Sequence, residues 1–254
     1  MLRTVITLAI MAVIVYFSLA IALFFFQRSL IYYPQPFSTG ISTTILRLPV
    51  NDAQVLVSAR PRAGAKALIY FGGNAEDVSV NLPTFSEAFP YHALYFLHYR
   101  GYGGSSGSPS EEHIQRDAVA LFDMVHQEHP DVVLVGRSLG TGVALRLASQ
   151  RTVSRMVLIT PFYSLQELAA NQFPYFPVKW LLRDKYESWR YAAHISAPTL
   201  LLGAEHDEVV PPSSTEKLYS HFAKGVASLR IIPGVGHNTI SESSMFFTVL
   251  REAL

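Results

Sequence analysis

Gly136-Arg137-Ser138-Leu139-Gly140 constrains the fold of this chain more than any other segment. It follows an apolar run, Val132 to Val135, and opens a helical stretch, Thr141 to Ser149. A strand, a Gly-x-Ser-x-Gly turn and a helix in succession make a nucleophile elbow. The turn is so tight that side chains flanking the serine would clash, so glycine stands two residues away on each side. The serine is then presented above a sheet at the amino end of a helix, where partial positive charge favours an anion.

A serine in such a turn needs a base and an acid, and on this framework they follow in the order Ser, Asp, His. Asp207 comes after the apolar run Thr199-Leu200-Leu201-Leu202-Gly203, and His237 lies in Gly234-Val235-Gly236-His237 after Leu229 to Ile232. Both sit just past expected strands, where the reactive groups of an open parallel sheet collect. Ser138 is therefore the candidate nucleophile, His237 the base and Asp207 its orienting acid. The oxyanion needs donors. The backbone N–H of Leu139 is one, and the loop after the third expected strand offers the N–H of Asn74.

Rival assignments are weaker. Glu205 and Glu208 flank Asp207, but spacing from the strand favours Asp207. His206 adjoins Asp207 and cannot be its partner. His126 and His129 lie three apart on an expected helix without a third ligand nearby, so no metal site is expected. Gly101-Tyr102-Gly103-Gly104 misses the G-x-G-x-x-G register, so no dinucleotide or other cofactor is expected. With no cysteine, thiol catalysis and disulfides are excluded. A net charge of +1 without a basic stripe argues against a nucleic-acid partner.

At 254 residues the chain suits one α/β domain with a small appendage. Thr4 to Gln27 carries no charge, and as a helix it would be about 36 Å long. We read residues 1–27 as a single-pass transmembrane anchor. The competing reading is a cleaved signal peptide ending near Ala20-Ile21-Ala22, but the apolar run continues through Leu23-Phe24-Phe25-Phe26. Arg3 with the terminal amine balances Arg28, so charge assigns neither side of the membrane. Tyr32 and Tyr33 suit a membrane interface.

Residues 28–42 read as a Pro-containing linker, and 43–254 as the α/β domain. Thr43 to Leu48 and Gln54 to Ala59 suggest a hairpin around Asn51-Asp52. Further strands are expected at Ala67–Phe71, Ala93–His98, Val132–Val135, Met156–Thr160, Thr199–Gly203 and Leu229–Ile232, with helices between them. One helix starts near Asp77. Another follows a capping box at Ser108-Pro109-Ser110-Glu111 and runs to about His129. Alternating strands and helices predict a mostly parallel sheet flanked by helices. Residues 162–194 break the rhythm with Phe173, Tyr175, Phe176, Trp180, Tyr186 and Trp189, and read as a small helical cap over the sheet's carboxyl edge. Core-facing helix is the alternative for most of these aromatics. An apolar inner face would favour an acyl chain or aromatic group.

With these residues in place, the chain resembles membrane-anchored α/β hydrolases. That group includes bacterial proteins of unassigned substrate and eukaryotic relatives, some of which remove palmitoyl groups from proteins. The matching segments include Leu30-Ile31-Tyr32-Tyr33-Pro34, Gly73-Asn74-Ala75, Tyr99-Arg100-Gly101-Tyr102-Gly103, Gly136 to Gly142, Leu181 to Tyr186 and Asp207-Glu208-Val209-Val210-Pro211. The resemblance implies an α/β-hydrolase fold with Ser138, Asp207 and His237 as triad and Asn74 and Leu139 as oxyanion donors. Two positions depart from the family's usual pattern: Gly72 stands where histidine is usual and His98 where aspartate is usual. Both adjoin the oxyanion loop and predict rearranged support for it. The expected activity is cleavage of a carboxylic ester or thioester of a lipid-like acyl group or an acylated protein. A serine aminopeptidase-like activity is the enzymatic alternative, and a non-catalytic scaffold on the same fold is the other.

Overall fold

The computed structural model describes residues 1–38, 43–50 and 52–254; Asn51 of the expected hairpin turn and the end of the expected linker lie outside them. Helix α1 (Leu2–Ile31) comes first. An 8-stranded sheet follows, with spatial order β1-β2-β4-β3-β5-β6-β7-β8. Its strands are β1 (Thr44–Leu48), β2 (Val55–Arg60), β3 (Lys66–Phe71), β4 (Ala93–Leu97), β5 (Asp131–Arg137), β6 (Arg155–Ile159), β7 (Thr199–Ala204) and β8 (Ala227–Ile232). β2 pairs antiparallel with β1 and β4, and every later pairing is parallel.

The central strands are apolar on both faces because both faces are covered. Side chains alternate with period two. Ile69, Tyr95, Leu134 and Leu158 enter one core, while Leu68, Leu94, Val133 and Val157 enter the other. The first face is packed by α3 (Glu111–His126) and α4 (Leu139–Ala148), through Ile114, Leu121 and Val143. The second is packed by α2 (Leu82–Ala88) and the helix Phe246–Ala253, through Phe85, Phe246 and Leu250. Each such side chain contributes about 1.5–3 kcal/mol when fully buried. Buried Arg100 is held by Asp117 and Asp52 at 2.8 Å each, so its charge is compensated rather than stranded.

Strand order places the site. β3 lies between β4 and β5, so the chain leaves β3 toward the face of α2 and leaves β5 toward the face of α4. Neighbouring strands whose connections diverge form a topological switch point, and ligands bind in the crevice beyond their carboxyl ends.

Several local expectations shift. Helix α3 is capped by Ser110, whose side chain accepts from the His113 N–H, and not by Ser108, so Pro109 precedes the helix. The helix ends at His126; His129 folds back, its ring bonding to Tyr95 and the Gly64 carbonyl. Asp77 caps a 3-10 turn, Val78–Asn81, which leads into α2. Helix α1 runs four residues into the expected linker. Tyr32 is 3% exposed inside the protein, bonded to Asp184 and Tyr186, so only Tyr33 is available to an interface. Between β6 and β7 the chain forms α5 (Leu165–Gln172), α6 (Val178–Leu181) and α7 (Trp189–Ala192).

Candidate active site

Ser138 lies between β5 and α4 at φ 49°, ψ −116°, a left-handed backbone that only a strongly determined turn sustains. Its N–H is tied to the Ile159 carbonyl at 2.8 Å, and its carbonyl accepts from the Thr141 N–H and hydroxyl. The flanking glycines are required by close approach. A Cβ on Gly140 would lie 2.0 Å from the Phe71 carbonyl oxygen at the end of β3, and one on Gly136 would lie 2.5 Å from the Gly140 oxygen. The elbow is therefore wedged against the strand that carries the neighbouring loop.

His237 and Asp207 arrive from the loops after β8 and β7. His237 Nε2 is 3.0 Å from Ser138 Oγ, and its Nδ1 is 2.9 Å from Asp207 Oδ2. Both side chains are nearly buried, at 6% and 3% exposure. Asp207 Oδ1 also accepts from the N–H groups of Val209 and Val210, which fixes the carboxylate before it meets the ring. Glu208 and Glu205 prove to be braces. Glu208 accepts from the His237 N–H at 3.1 Å, and Glu205 from the Gly234 N–H at 2.8 Å. His206 is exposed beside them.

The loop after β3 faces Ser138. Among the described residues, neither the Asn74 N–H nor the Leu139 N–H has a protein acceptor, and both residues line the same cavity as Ser138. The rest of Asn74 is held: its side chain donates to the Ile31 carbonyl, and its carbonyl accepts from the Tyr33 N–H and the Tyr102 hydroxyl. The chief support is Glu76, which the sequence reading missed. Its carboxylate accepts from the Gly73 N–H and the Tyr70 hydroxyl at 2.7 Å each and from Asn81 at 2.6 Å, and pairs with Arg137 at 3.3 Å. No sequence signal marks it, because a lone loop glutamate reads alike whether solvated or bonded to backbone amides.

The two departures from the family pattern are accommodated locally. A Cβ on Gly72 would lie 2.5 Å from Val78 Cγ1. The Gly72 carbonyl accepts from the Tyr99 hydroxyl at 2.8 Å. His98 is 2% exposed and bonded through Nε2 to Ser58 at 2.8 Å. Burial pushes its pKa down to about 4, against a weaker opposite pull from Asp77, so the ring is neutral at pH 7.

A cavity of about 350 Å³ opens from Ser138, near the small end of the ~300–1,000 Å³ of ligand sites. One wall is Leu165, Phe173, Phe176 and Leu181 from the segment between β6 and β7, and the other is Leu23, Gln27, Leu30 and Ile31 of α1. Tyr175 and Trp180 point outward instead, and Tyr186 is buried.

Known proteins carry the same framework. The family model described as serine aminopeptidase, S33, matches residues 90–191 and 178–244. An uncharacterized protein of Mycobacterium tuberculosis is 33% identical over 84% of this chain and 80% of its own length. The lysophosphatidylserine lipase ABHD12 of Macaca fascicularis is also 33% identical, over 74% of this chain; the match spans 55% of that lipase's length. The Pyrococcus furiosus esterase Pf2001 superposes with a TM-score of 0.70 over 88% of this chain and 98% of its own, at 18% identity. A switch-point elbow on a mostly parallel sheet, a family match over more than half the chain and a relative at 33% identity lead to one assignment: this chain belongs to the α/β hydrolase family.

Proposed function

We propose that this hydrolase is a membrane-tethered serine enzyme that cleaves carboxylic esters or thioesters through an acyl-enzyme on Ser138. The observation that carries the reading is the relay of Asp207, His237 and Ser138 beside two unpaired N–H groups in an apolar cavity. Ser138 Oγ attacks the carbonyl carbon as His237 Nε2 takes its proton. Asp207 holds the imidazole tautomer and stabilises the imidazolium. The oxyanion lies between the N–H groups of Asn74 and Leu139, preorganised by Glu76 and by the elbow. His237 then protonates the departing alkoxide or thiolate. Water repeats the sequence in reverse, releasing the acid.

In this reading residues 1–27 are the anchor, 28–42 the connection and 43–254 the catalytic domain, with 162–194 as its cap. An acyl group is favoured over a peptide because, among the described residues, the cavity lining contains no carboxylate to receive a free amino terminus. The acyl group of a membrane lipid, of a soluble ester or of a modified protein would each fit this chemistry.

The test uses detergent-solubilised full chain and its Ser138→Ala variant. A fluorophosphonate should label the first and not the second. Hydrolysis of p-nitrophenyl esters should fall by more than ~10³-fold in the variant. Equal rates in the two proteins, with no label on either, would reject the reading.

A further inference from the structure

Helix α1 has a mean hydropathy of 2.7 over its most apolar window, of which only 6% is buried in the protein. On the anchor reading, its remaining surface faces lipid. The segment between β6 and β7 does not stop at the base of this helix but climbs along it. Arg28 pairs with Asp184 at 2.9 Å, Gln27 bonds to the Leu181 carbonyl and the Arg183 N–H, and the Arg183 guanidinium lies 4.3 Å from the Phe24 ring centroid. Farther up, the Tyr16 hydroxyl donates to the Tyr175 carbonyl at 3.0 Å, and its ring stacks on Phe176 at 5.4 Å.

From Arg28, the first charge after the apolar run, to Tyr16 is about 18 Å along the axis. Half a hydrocarbon core is ~15 Å. The stretch from Leu2 to Val15, which lies beyond these contacts, is only about 20 Å long, too short alone for a core of ~30 Å. Insertion of α1 therefore draws the packed segment in beside it. The outward side chains there are Trp180, 81% exposed beside the Leu181–Gln27 contact, where an amphipathic aromatic suits the lipid interface, and Tyr175, 85% exposed and level with Tyr16 deeper in the leaflet. Exposed Lys179 and Arg183 sit at the Arg28 end of the segment, from which long cationic side chains can snorkel to the headgroups.

We propose that residues 173–182 are seated in the lipid leaflet alongside α1, and that the cavity takes its ester sideways from that leaflet. The occupant of this face is lipid, and the substrate is a membrane lipid bearing a carboxylic ester. The entry route deepens the serine-hydrolase reading and rests on it for the reaction; the seating stands independently.

Trp180 and Trp189 are the two tryptophans of the chain, so Trp189→Phe leaves Trp180 as sole reporter. The full chain with this substitution would be reconstituted in phosphatidylcholine vesicles brominated at defined acyl positions. Trp180 emission should be quenched by the brominated lipids and little by aqueous iodide. Quenching by iodide and not by bromine would put the segment in water; shielding from both would mean a protein partner, such as a second copy. Either result overturns the seating. For the entry route, Tyr175→Glu and Trp180→Glu, both outside the cavity lining, should each slow hydrolysis of a vesicle-held ester at least tenfold and leave p-nitrophenyl acetate turnover unchanged. Equal losses on both substrates would overturn the route. Failure of the serine-hydrolase reading is seen separately, as absent fluorophosphonate labelling with bromine quenching intact.

Discussion

Glu76 touches no reacting atom in the proposed mechanism, yet it fixes the loop whose next amide faces Ser138. Replacing it with alanine removes the acceptor of the Gly73 N–H and leaves the Tyr70 hydroxyl and Arg137 without their partner. Loss of one oxyanion donor typically costs about 10²–10³ in rate, and a loosened donor less. We expect Glu76→Ala to lower kcat about 10–100-fold with a smaller change in KM. A fall confined to thermal stability, with kcat intact, would mean that Glu76 is only a structural brace.

His98 gives a second residue-scale prediction, with a defined sign. Its folded pKa, about 4, lies below the unfolded value of 6.5, so the unfolded chain binds more protons between those limits. Stability therefore falls as pH drops from 6.5 toward 4, by up to roughly 3 kcal/mol. Denaturant unfolding of His98→Gln should show a flatter pH dependence in this window; an unchanged slope would assign the acid sensitivity elsewhere. His92, whose pKa burial also lowers, acts in the same direction. Ser138, Asp207 and His237 were legible as a group because each follows an apolar strand, and parallel strands deliver their carboxyl ends to one edge. Glu76 and Glu208 were not, because a lone glutamate in a loop has the same signature whether solvated or bonded to backbone amides.

At the scale of elements, the joint between α1 and the segment it packs against is decisive. Asp184 is the hub. Its carboxylate, 6% exposed, accepts from Arg28 and from the Tyr32 hydroxyl, which also meets the Tyr186 hydroxyl at 3.0 Å. Removing it leaves Tyr32 with one partner and Arg28 able to turn to water. Asp184→Ala should destabilise this joint by about 1–3 kcal/mol. It should lower the thermal midpoint in detergent and raise KM for long-chain esters more than for acetyl esters, because the cavity wall from α1 loses its register with the wall opposite. Equal KM changes for both esters would mean that the joint does not shape the cavity. The uncharged apolar run predicted α1, and short apolar runs predicted the central strands, because both signals are local. The joint links residues more than 150 positions apart, and no periodicity records such a contact. The helix start at Ser110 instead of Ser108 turned on which of two capping serines finds a free N–H, a choice made by packing.

At the scale of the whole molecule, the proposed site is continuous with the apolar surface of α1: the oxyanion loop is bonded to the end of the helix through Asn74 and Ile31, and the helix is a wall of the cavity. On the proposed leaflet-entry route, an enzyme built this way would sample substrate as a fraction of the surrounding leaflet rather than as a concentration in water. With the protein reconstituted in vesicles, a lipid ester can be diluted into a non-hydrolysable ether lipid while its bulk concentration is held constant. The rate should fall in proportion to the ester's mole fraction once that fraction is below saturation. Turnover of water-soluble p-nitrophenyl acetate, measured in the same vesicles, should stay constant, because dilution changes neither the triad geometry nor access from water. A lipid-ester rate that follows bulk concentration and ignores mole fraction would show that the substrate arrives through solution. The α1 wall would then be a lining of the cavity with no part in delivering what fills it.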